Sequence, residues 1–125
     1  MGKKKILFVD DEENLLTIMK LNLERTGEYE VRILPGADNI IAHVKEFQPD
    51  IILLDIRMPG ISGDQACRML RKDPQTKEIP IISLSALDTD KDNLMMREAG
   101  AIEHLVKPVE KNELICMIEK VLGAK

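Results

Sequence analysis

The chain has 125 residues, 44% of them hydrophobic and 32% charged, with a formal net charge of −4. Residues 1–125 read as one domain, large enough to bury a core without disulfides. The mildly acidic balance excludes the basic footprint of a nucleic-acid binder, and no apolar run approaches the ~20 residues of a membrane span.

Lys3, Lys4 and Lys5 read as a solvated leader, followed by only four apolar residues before Asp10, too few for a signal peptide. A first strand is expected over Lys5–Asp10. The helical spacing of Leu15, Ile18, Met19 and Leu23 follows and ends at Gly27. A second strand, Tyr29–Leu34, leads to a helix carrying Ala37, Ile40, Ile41, Val44 and Phe47, stopped by Pro49. The third strand, Asp50–Leu54, is almost uninterruptedly apolar, the pattern of a strand buried on both faces. Ser62 or Asp64 caps the next helix, with Ala66, Cys67, Met69 and Leu70 on it.

The fourth strand spans Ile79–Ser85, and Asp88 or Asp90 starts a helix that Gly100 ends. Within that helix, Leu94, Met95 and Met96 are consecutive and span about 200° of the helical wheel. At least one of them, Leu94 or Met96, is expected to be exposed and to offer an apolar contact surface. The fifth strand, Glu103–Val106, precedes a helix bearing Leu114, Ile115, Ile118, Val121 and Leu122, with Gly123 after it. Cys67 and Cys116 fit no metal or redox spacing. Each sits among apolar residues, so both read as reduced core thiols, as suits the cytoplasm. His43 reads as structural or exposed.

The order is strand–helix five times over. Such a chain forms a parallel sheet with right-handed helical crossovers, an α/β sandwich of three layers. In these folds the functional cleft lies beyond the carboxyl ends of the strands. Those ends here carry Asp10-Asp11, Asp55, Ser85-Ala86 and Lys107-Pro108. Three crowded carboxylates repel one another and have raised pKa values. A hard divalent cation relieves that repulsion, and an all-oxygen set favours Mg²⁺. A carboxylate beside Mg²⁺ can act as a nucleophile toward phosphorus, with a lysine and a hydroxyl holding the remaining phosphoryl oxygens.

The motifs Asp10-Asp11, Asp55-Ile56-Arg57-Met58-Pro59 with Gly63, Ser85-Ala86, Gly100-Ala101 and Lys107-Pro108 occur in this order over nearly the whole chain. In them the sequence resembles the receiver domain of bacterial two-component response regulators. The resemblance implies a doubly wound, flavodoxin-like (βα)5 fold with strand order 2-1-3-4-5 and helices on both faces. It implies a phosphorylation-dependent switch rather than an enzyme with an external substrate, with only self-phosphorylation and autodephosphorylation chemistry. Asp55 would accept the phosphoryl group from a sensor histidine kinase or histidine phosphotransfer protein. Asp11, Asp55 and the backbone carbonyl of Arg57 would ligate Mg²⁺, with Asp10 acting mainly through a bound water. Lys107, Ser85 and Ala86 would hold the phosphoryl group. Pro59, Gly63 and Pro108 would be structural, with a cis bond before Pro108.

The implied setting is cytoplasmic, and a phosphorylation-dependent dimer fits it. The output is a downstream protein or domain, contacted through the fourth helix, fifth strand and fifth helix. The chain reads either as a stand-alone receiver or as one cut from a longer regulator or hybrid kinase. Glu12 and Glu13 match no position in the motif and read as acids favoured in a first helical turn. Ser83 is a competitor to Ser85, on the same strand face but deeper.

His104 stands where many relatives carry tyrosine or phenylalanine as a switch. It reads as a polar surface residue or as that switch. In the switch reading the ring enters from the surface once Ser85 moves toward phosphorylated Asp55. Burial favours the neutral imidazole, so this movement would weaken as pH falls through ~6.5 if no carboxylate pairs with the ring.

Other classes fit less well. A phosphatase of the haloacid dehalogenase type needs an acid two residues after its nucleophile, where this chain has Arg57. A flavin carrier needs aromatic stacking partners, and aromatics are 2% here. A degenerate receiver that binds partners without phosphorylation would not need Asp10, Asp11, Asp55 and Lys107 intact.

Overall fold

Five parallel strands form one sheet, and five helices cover its two faces. The computed structural model describes residues 2–86 and 90–123. The strands are β1 (Lys4–Val9), β2 (Tyr29–Leu34), β3 (Ile51–Asp55), β4 (Ile81–Ser85) and β5 (Glu103–Val106). The helices are α1 (Glu13–Glu24), α2 (Ile40–Phe47), α3 (Gly63–Lys72), α4 (Asp90–Ala99) and α5 (Lys111–Gly123). The sheet order is β2-β1-β3-β4-β5, as the receiver resemblance implies.

Strand alternation assigns the two faces. Ile6, Phe8, Ile51, Leu53, Ile82 and Leu84 pack with Leu16, Met19 and Leu23 of α1 and with Leu114 and Ile118 of α5. Leu7, Val9, Ile52, Leu54 and Ile81 point the other way, onto α2, α3 and α4. Each fully buried aliphatic side chain contributes roughly 1.5–3 kcal/mol. The central strands bury both faces, which fixes their register.

Several local expectations change. Lys4 and Lys5 are not a free leader but the start of β1, opposite Tyr29 and Glu30. Lys5 Nζ also donates to the Phe47 carbonyl at 3.2 Å. β1 stops at Val9, although the Asp10 amide still donates to Leu34 O. Asp50 lies outside β3, where its carboxylate accepts the Lys5 amide at 2.7 Å. Ile79 lies outside β4. The buried stripe of α1 is Leu16, Met19 and Leu23, and Ile18 is exposed. Sequence spacing cannot distinguish these rotations when adjacent positions are all apolar.

Cys67 is buried as expected, but Cys116 is exposed: on α5 only Leu114 and Ile118 reach full burial, and Cys116 lies between them in sequence and off their stripe. In α4, Leu94 is exposed and Met96 buried, which resolves the choice within that trio. Asp88 lies outside the described residues; α4 begins at Asp90. Ser62 caps α3, its amide donating to Gln65 Oε1 at 3.0 Å.

Arg71 ties together three segments that are distant in sequence. Its Nε and Nη2 donate to Gly100 O at 3.1 and 2.7 Å, and Nη1 donates to the carbonyls of Lys77 and Ile79 at 2.8 and 2.6 Å. Gly100 has φ +117°, and a Cβ there would run into the Arg71 side chain. The guanidinium therefore caps the end of α4 and holds the approach to β4. Arg71→Lys keeps the charge but cannot reproduce the planar fork. It is expected to destabilise the fold by roughly 1–3 kcal/mol, read in urea as a lower midpoint with an unchanged slope.

Candidate functional site

The carboxyl ends of β1, β3, β4 and β5 converge on one rim. The Ile56 amide donates to Leu84 O at 3.0 Å and the Lys107 amide to Ser85 O at 2.7 Å. These bonds carry the ladder past the strand ends and fix where Asp55 and Lys107 begin. The Lys107–Pro108 bond is cis. Gly63 is required by close approach. A Cβ on it would collide with the Asp55 carbonyl, and its amide donates to Ile56 O at 2.8 Å. Met58 is buried in the core on the α2–α4 side, anchoring the loop after Asp55, while Pro59 is exposed.

Asp10, Asp11 and Asp55 each place a carboxylate oxygen so that all lie within 4.8 Å of one another. Asp10 is fully buried and Asp55 nearly so, while Asp11 is exposed. Lys107 Nζ lies 2.7 Å from Asp10 Oδ2, 2.9 Å from Glu12 Oε1 and 3.4 Å from Asp55 Oδ1. Asp10 Oδ1 accepts the Glu12 amide at 2.9 Å. Its Oδ2 has the lysine as an ion-pair contact but no well-aligned hydrogen bond. Four carboxyl groups thus face one ammonium, a surplus of negative charge that a cation would neutralise. The all-oxygen donors and the imperfectly satisfied Asp10 oxygen fit a hard divalent ion that retains water ligands.

Electrostatics follow the crowding. Burial, then the Asp10 charge, push Asp55 from 3.8 up to about 6, against the opposing pull of Lys107. Burial alone would lower the Lys107 pKa. The close ion pair with Asp10, the hydrogen bond to Glu12 and the charge of Asp55 outweigh it and hold the ammonium above its ordinary value.

Alternation separates two functions across the sheet. Asp55 follows Ile51 and Leu53 onto the α1/α5 side. Ser83 and Ser85 follow Ile81 onto the α4 side, and both are buried. Ala86 lies just beyond β4 and is exposed. His104, on β5, faces these serines. Its Nδ1 lies 2.8 Å from Ser83 Oγ and its Nε2 3.2 Å from Ser85 Oγ. The ring is half-buried and touches both hydroxyls with Ser85 still in place.

Sequence reasoning missed three contacts. Glu12 was read only as a helix start, yet it pairs with Lys107; its position beside Asp10-Asp11 was the available signal. Arg57 turns its side chain away from the acidic cluster, with Nη2 3.0 Å from the buried carboxylate of Asp92 on α4. Ser83 was ranked below Ser85, but it holds the far nitrogen of His104.

The profile of the response regulator receiver domain matches residues 6–119. The chain is 36% identical over 118 residues to the phosphate regulon transcriptional regulatory protein PhoB of Rhizobium meliloti, covering 94% of this chain and 52% of that protein. It thus spans about half the length of that relative. Protein PilH of Pseudomonas aeruginosa is 36% identical over 119 residues, covering 95% of this chain and 98% of that protein. Among solved structures, chemotaxis protein CheY4 of Vibrio cholerae superposes with a TM-score of 0.91 at 26% identity. That match covers 97% of this chain and 100% of CheY4.

The raised Asp55 pKa makes stability depend on pH in a defined direction. An acid with a folded pKa above its unfolded value favours the fold below 3.8 and loses that contribution as pH rises through about 6. In the absence of divalent metal, the protein should therefore be more stable at about pH 5 than at about pH 7.5, as far as this group decides. Asp55→Asn should flatten that part of the profile and raise stability at neutral pH by roughly 1–2 kcal/mol. Thermal melts with and without Mg²⁺ check this, since the ion should stabilise the wild type and have little effect on the variant.

Proposed function

The chain belongs to the response regulator receiver domain family, a family of phosphorylation-dependent signalling switches, and on that premise we propose that Asp55 is its phosphoacceptor. The observation that carries the assignment is the convergence of Asp10, Asp11, Asp55 and Lys107 at the strand ends. Asp55 is buried and is the last residue of β3, the middle strand of the sheet, whereas Asp10 follows the end of β1 and Asp11 is exposed. In the proposed reaction, an Asp55 carboxylate oxygen forms a new P–O bond as the donor's bond to phosphorus breaks. The donor is a phosphohistidine on a sensor kinase or phosphotransfer protein, and its imidazole leaves with the electron pair of the P–N bond.

Asp11, Asp55 and the Arg57 carbonyl would hold Mg²⁺, with Asp10 acting mainly through a bound water. The ion, when bound, neutralises carboxylate repulsion and the charge that builds on the transferring phosphoryl oxygens. The remaining chemistry belongs to the chain. Lys107 keeps Asp55 ionised and pairs with a phosphoryl oxygen. Ser85 supplies a hydroxyl from the α4 side, and Ala86 lines the same strand end. Glu12 and Asp10 hold the lysine in place until the phosphoryl group competes for it.

The output would be a protein contact. Leu94 of α4 and Ile102 ahead of β5 are exposed apolar residues on that side of the molecule, and the downstream partner is a separate protein or a domain in the same polypeptide. No described helix is long and apolar enough to cross a membrane, in keeping with a cytoplasmic setting. A haloacid dehalogenase type of phosphatase chemistry is disfavoured: the position two residues after Asp55 is an arginine engaged with Asp92, not an acid.

Two experiments test the reading. With Mg²⁺ and acetyl phosphate the protein should acquire one acid-labile phosphoryl group, seen by mass spectrometry, and Asp55→Asn should acquire none. Phosphate on Ser85 would refute the assignment. In Mg²⁺ titrations, Asp11→Ala should weaken binding at least tenfold, as expected for the loss of a direct charged ligand. Asp10→Ala should weaken it less, and unchanged affinity in both variants would reduce the acidic pair to a helix start.

A further inference from the structure

β2 is an outer strand of the sheet, and an outer strand presents a row of backbone groups along its open edge. In a parallel pair, alternate residues turn their amide and carbonyl toward the neighbouring strand, and the residues between turn theirs away. The Lys4 amide donates to Glu28 O and the Asp10 amide to Leu34 O, and β1 pairs with β2 in unbroken register between them. Glu28, Glu30, Arg32 and Leu34 therefore face β1, and Tyr29, Val31 and Ile33 direct their peptide groups outward. At the centre of that outward row, two side chains of α1 stand where a further strand would lie. Lys20 Nζ donates to Val31 O at 2.7 Å, and Glu24 Oε2 accepts the Val31 amide at 3.0 Å. The two side chains also pair with each other at 3.1 Å, one helical turn apart. The Val31 amide is the largest influence holding the Glu24 carboxyl below its ordinary value.

We propose that Lys20 and Glu24 guard the β2 edge, and that the occupant they exclude is the β2 strand of a second copy of this chain. The edge is self-complementary about Val31. In an antiparallel pair with a two-fold axis at that residue, Val31 faces its own counterpart and Tyr29 faces Ile33. All three have outward peptide groups, so each facing pair can exchange two hydrogen bonds. The residues between them point to the α2 side. There Glu30 faces Arg32, which places opposite charges directly across the new strand pair. Arg32 is held along this face, its guanidinium 4.6 Å from the centre of the Phe47 ring and its Nη1 2.7 Å from Glu46 Oε1. Each copy would use its single β2 edge, so the association closes as a symmetric dimer.

An exposed ion pair one helical turn apart contributes little to stability by itself. Here the same atoms also complete the backbone bonds of Val31, which is 3% exposed, and an incoming strand must displace them first. Neither side chain belongs to the buried stripe of α1, which is Leu16, Met19 and Leu23. Both can therefore be shortened without opening a cavity, and alanine at each position suits the helix. The pair lies in the second half of α1, the half away from Asp10-Asp11, so the guard acts without a phosphoryl group or Mg²⁺.

Sedimentation of the full chain over a concentration series, without Mg²⁺ or phosphoryl donor, tests the guard. The double variant Lys20→Ala, Glu24→Ala should dimerise roughly tenfold or more tightly than the wild type. Glu24→Gln, whose amide oxygen can still accept the Val31 amide, should stay closer to the wild type. Adding Glu30→Arg to the double variant sets arginine opposite Arg32 and should reverse most of the gain. Hydrogen exchange locates the contact: the amides of Tyr29, Val31 and Ile33 should exchange more slowly in the dimer than in the dilute, monomeric variant. If the double variant folds poorly, Lys20→Met decides alone, since it removes only the donor to Val31 O; it should dimerise more tightly than the wild type. A folded variant that associates no more than the wild type overturns the proposal. So does association that Glu30→Arg leaves untouched, that grows beyond a dimer, or that protects amides of α4 and β5 instead of β2.

Discussion

The excess of carboxylate over ammonium at one rim of the sheet is the constraint from which the rest of this protein follows. Asp10 and Asp55 are held in place by strands that cannot shift, because both faces of β1 and β3 are covered by helices. Water cannot solvate them fully, and one lysine cannot neutralise them. The result is a concentration of negative charge that a bound cation would relieve.

The sheet also decides how the site communicates. Because neighbouring residues on a strand point to opposite faces, the acidic cluster and the serines on the adjacent strand project to different sides of one rim. The proposed phosphoacceptor, Asp55, lies on the α1/α5 side. Ser85 and His104 lie on the α4 side, where Leu94 and Ile102 are exposed. In the proposed switch, a change in hydrogen bonding at Ser85 would bias two states of that surface that already differ by little. Arg57 adds a second tie, since the loop after Asp55 is paired with the buried Asp92 of α4.

Structural glycine and arginine residues keep this arrangement in register. Gly63 lets α3 start against the Asp55 carbonyl, which no side chain would permit. Arg71 and Gly100 fit together at the opposite end of α4. α4 is thus fixed at its end, where Arg71 meets Gly100, and tied near its start through Asp92. The helix that presents the proposed output surface is positioned by polar contacts at both ends as well as by its buried Met96 and Ala99.

The sequence alone determined the strand–helix alternation, the burial of Ile51 to Leu54 and the type of chemistry at each strand end. Period and residue type are local properties of the chain, and hydrophobic runs that can be buried only on both faces admit few folds. The resemblance to receiver domains supplied the strand order, since spacing does not encode which strand lies beside which. Tertiary structure decided the remainder. Glu12 meets Lys107 across 95 positions of sequence, and the Ser83–His104–Ser85 bridge depends on the register of β4 against β5. The rotation that buries Leu16 and exposes Ile18, and the exposure of Cys116, depend on how each helix is turned on the sheet. Such contacts join residues whose separation in the chain carries no information about their separation in space, so only the packed sheet could place them.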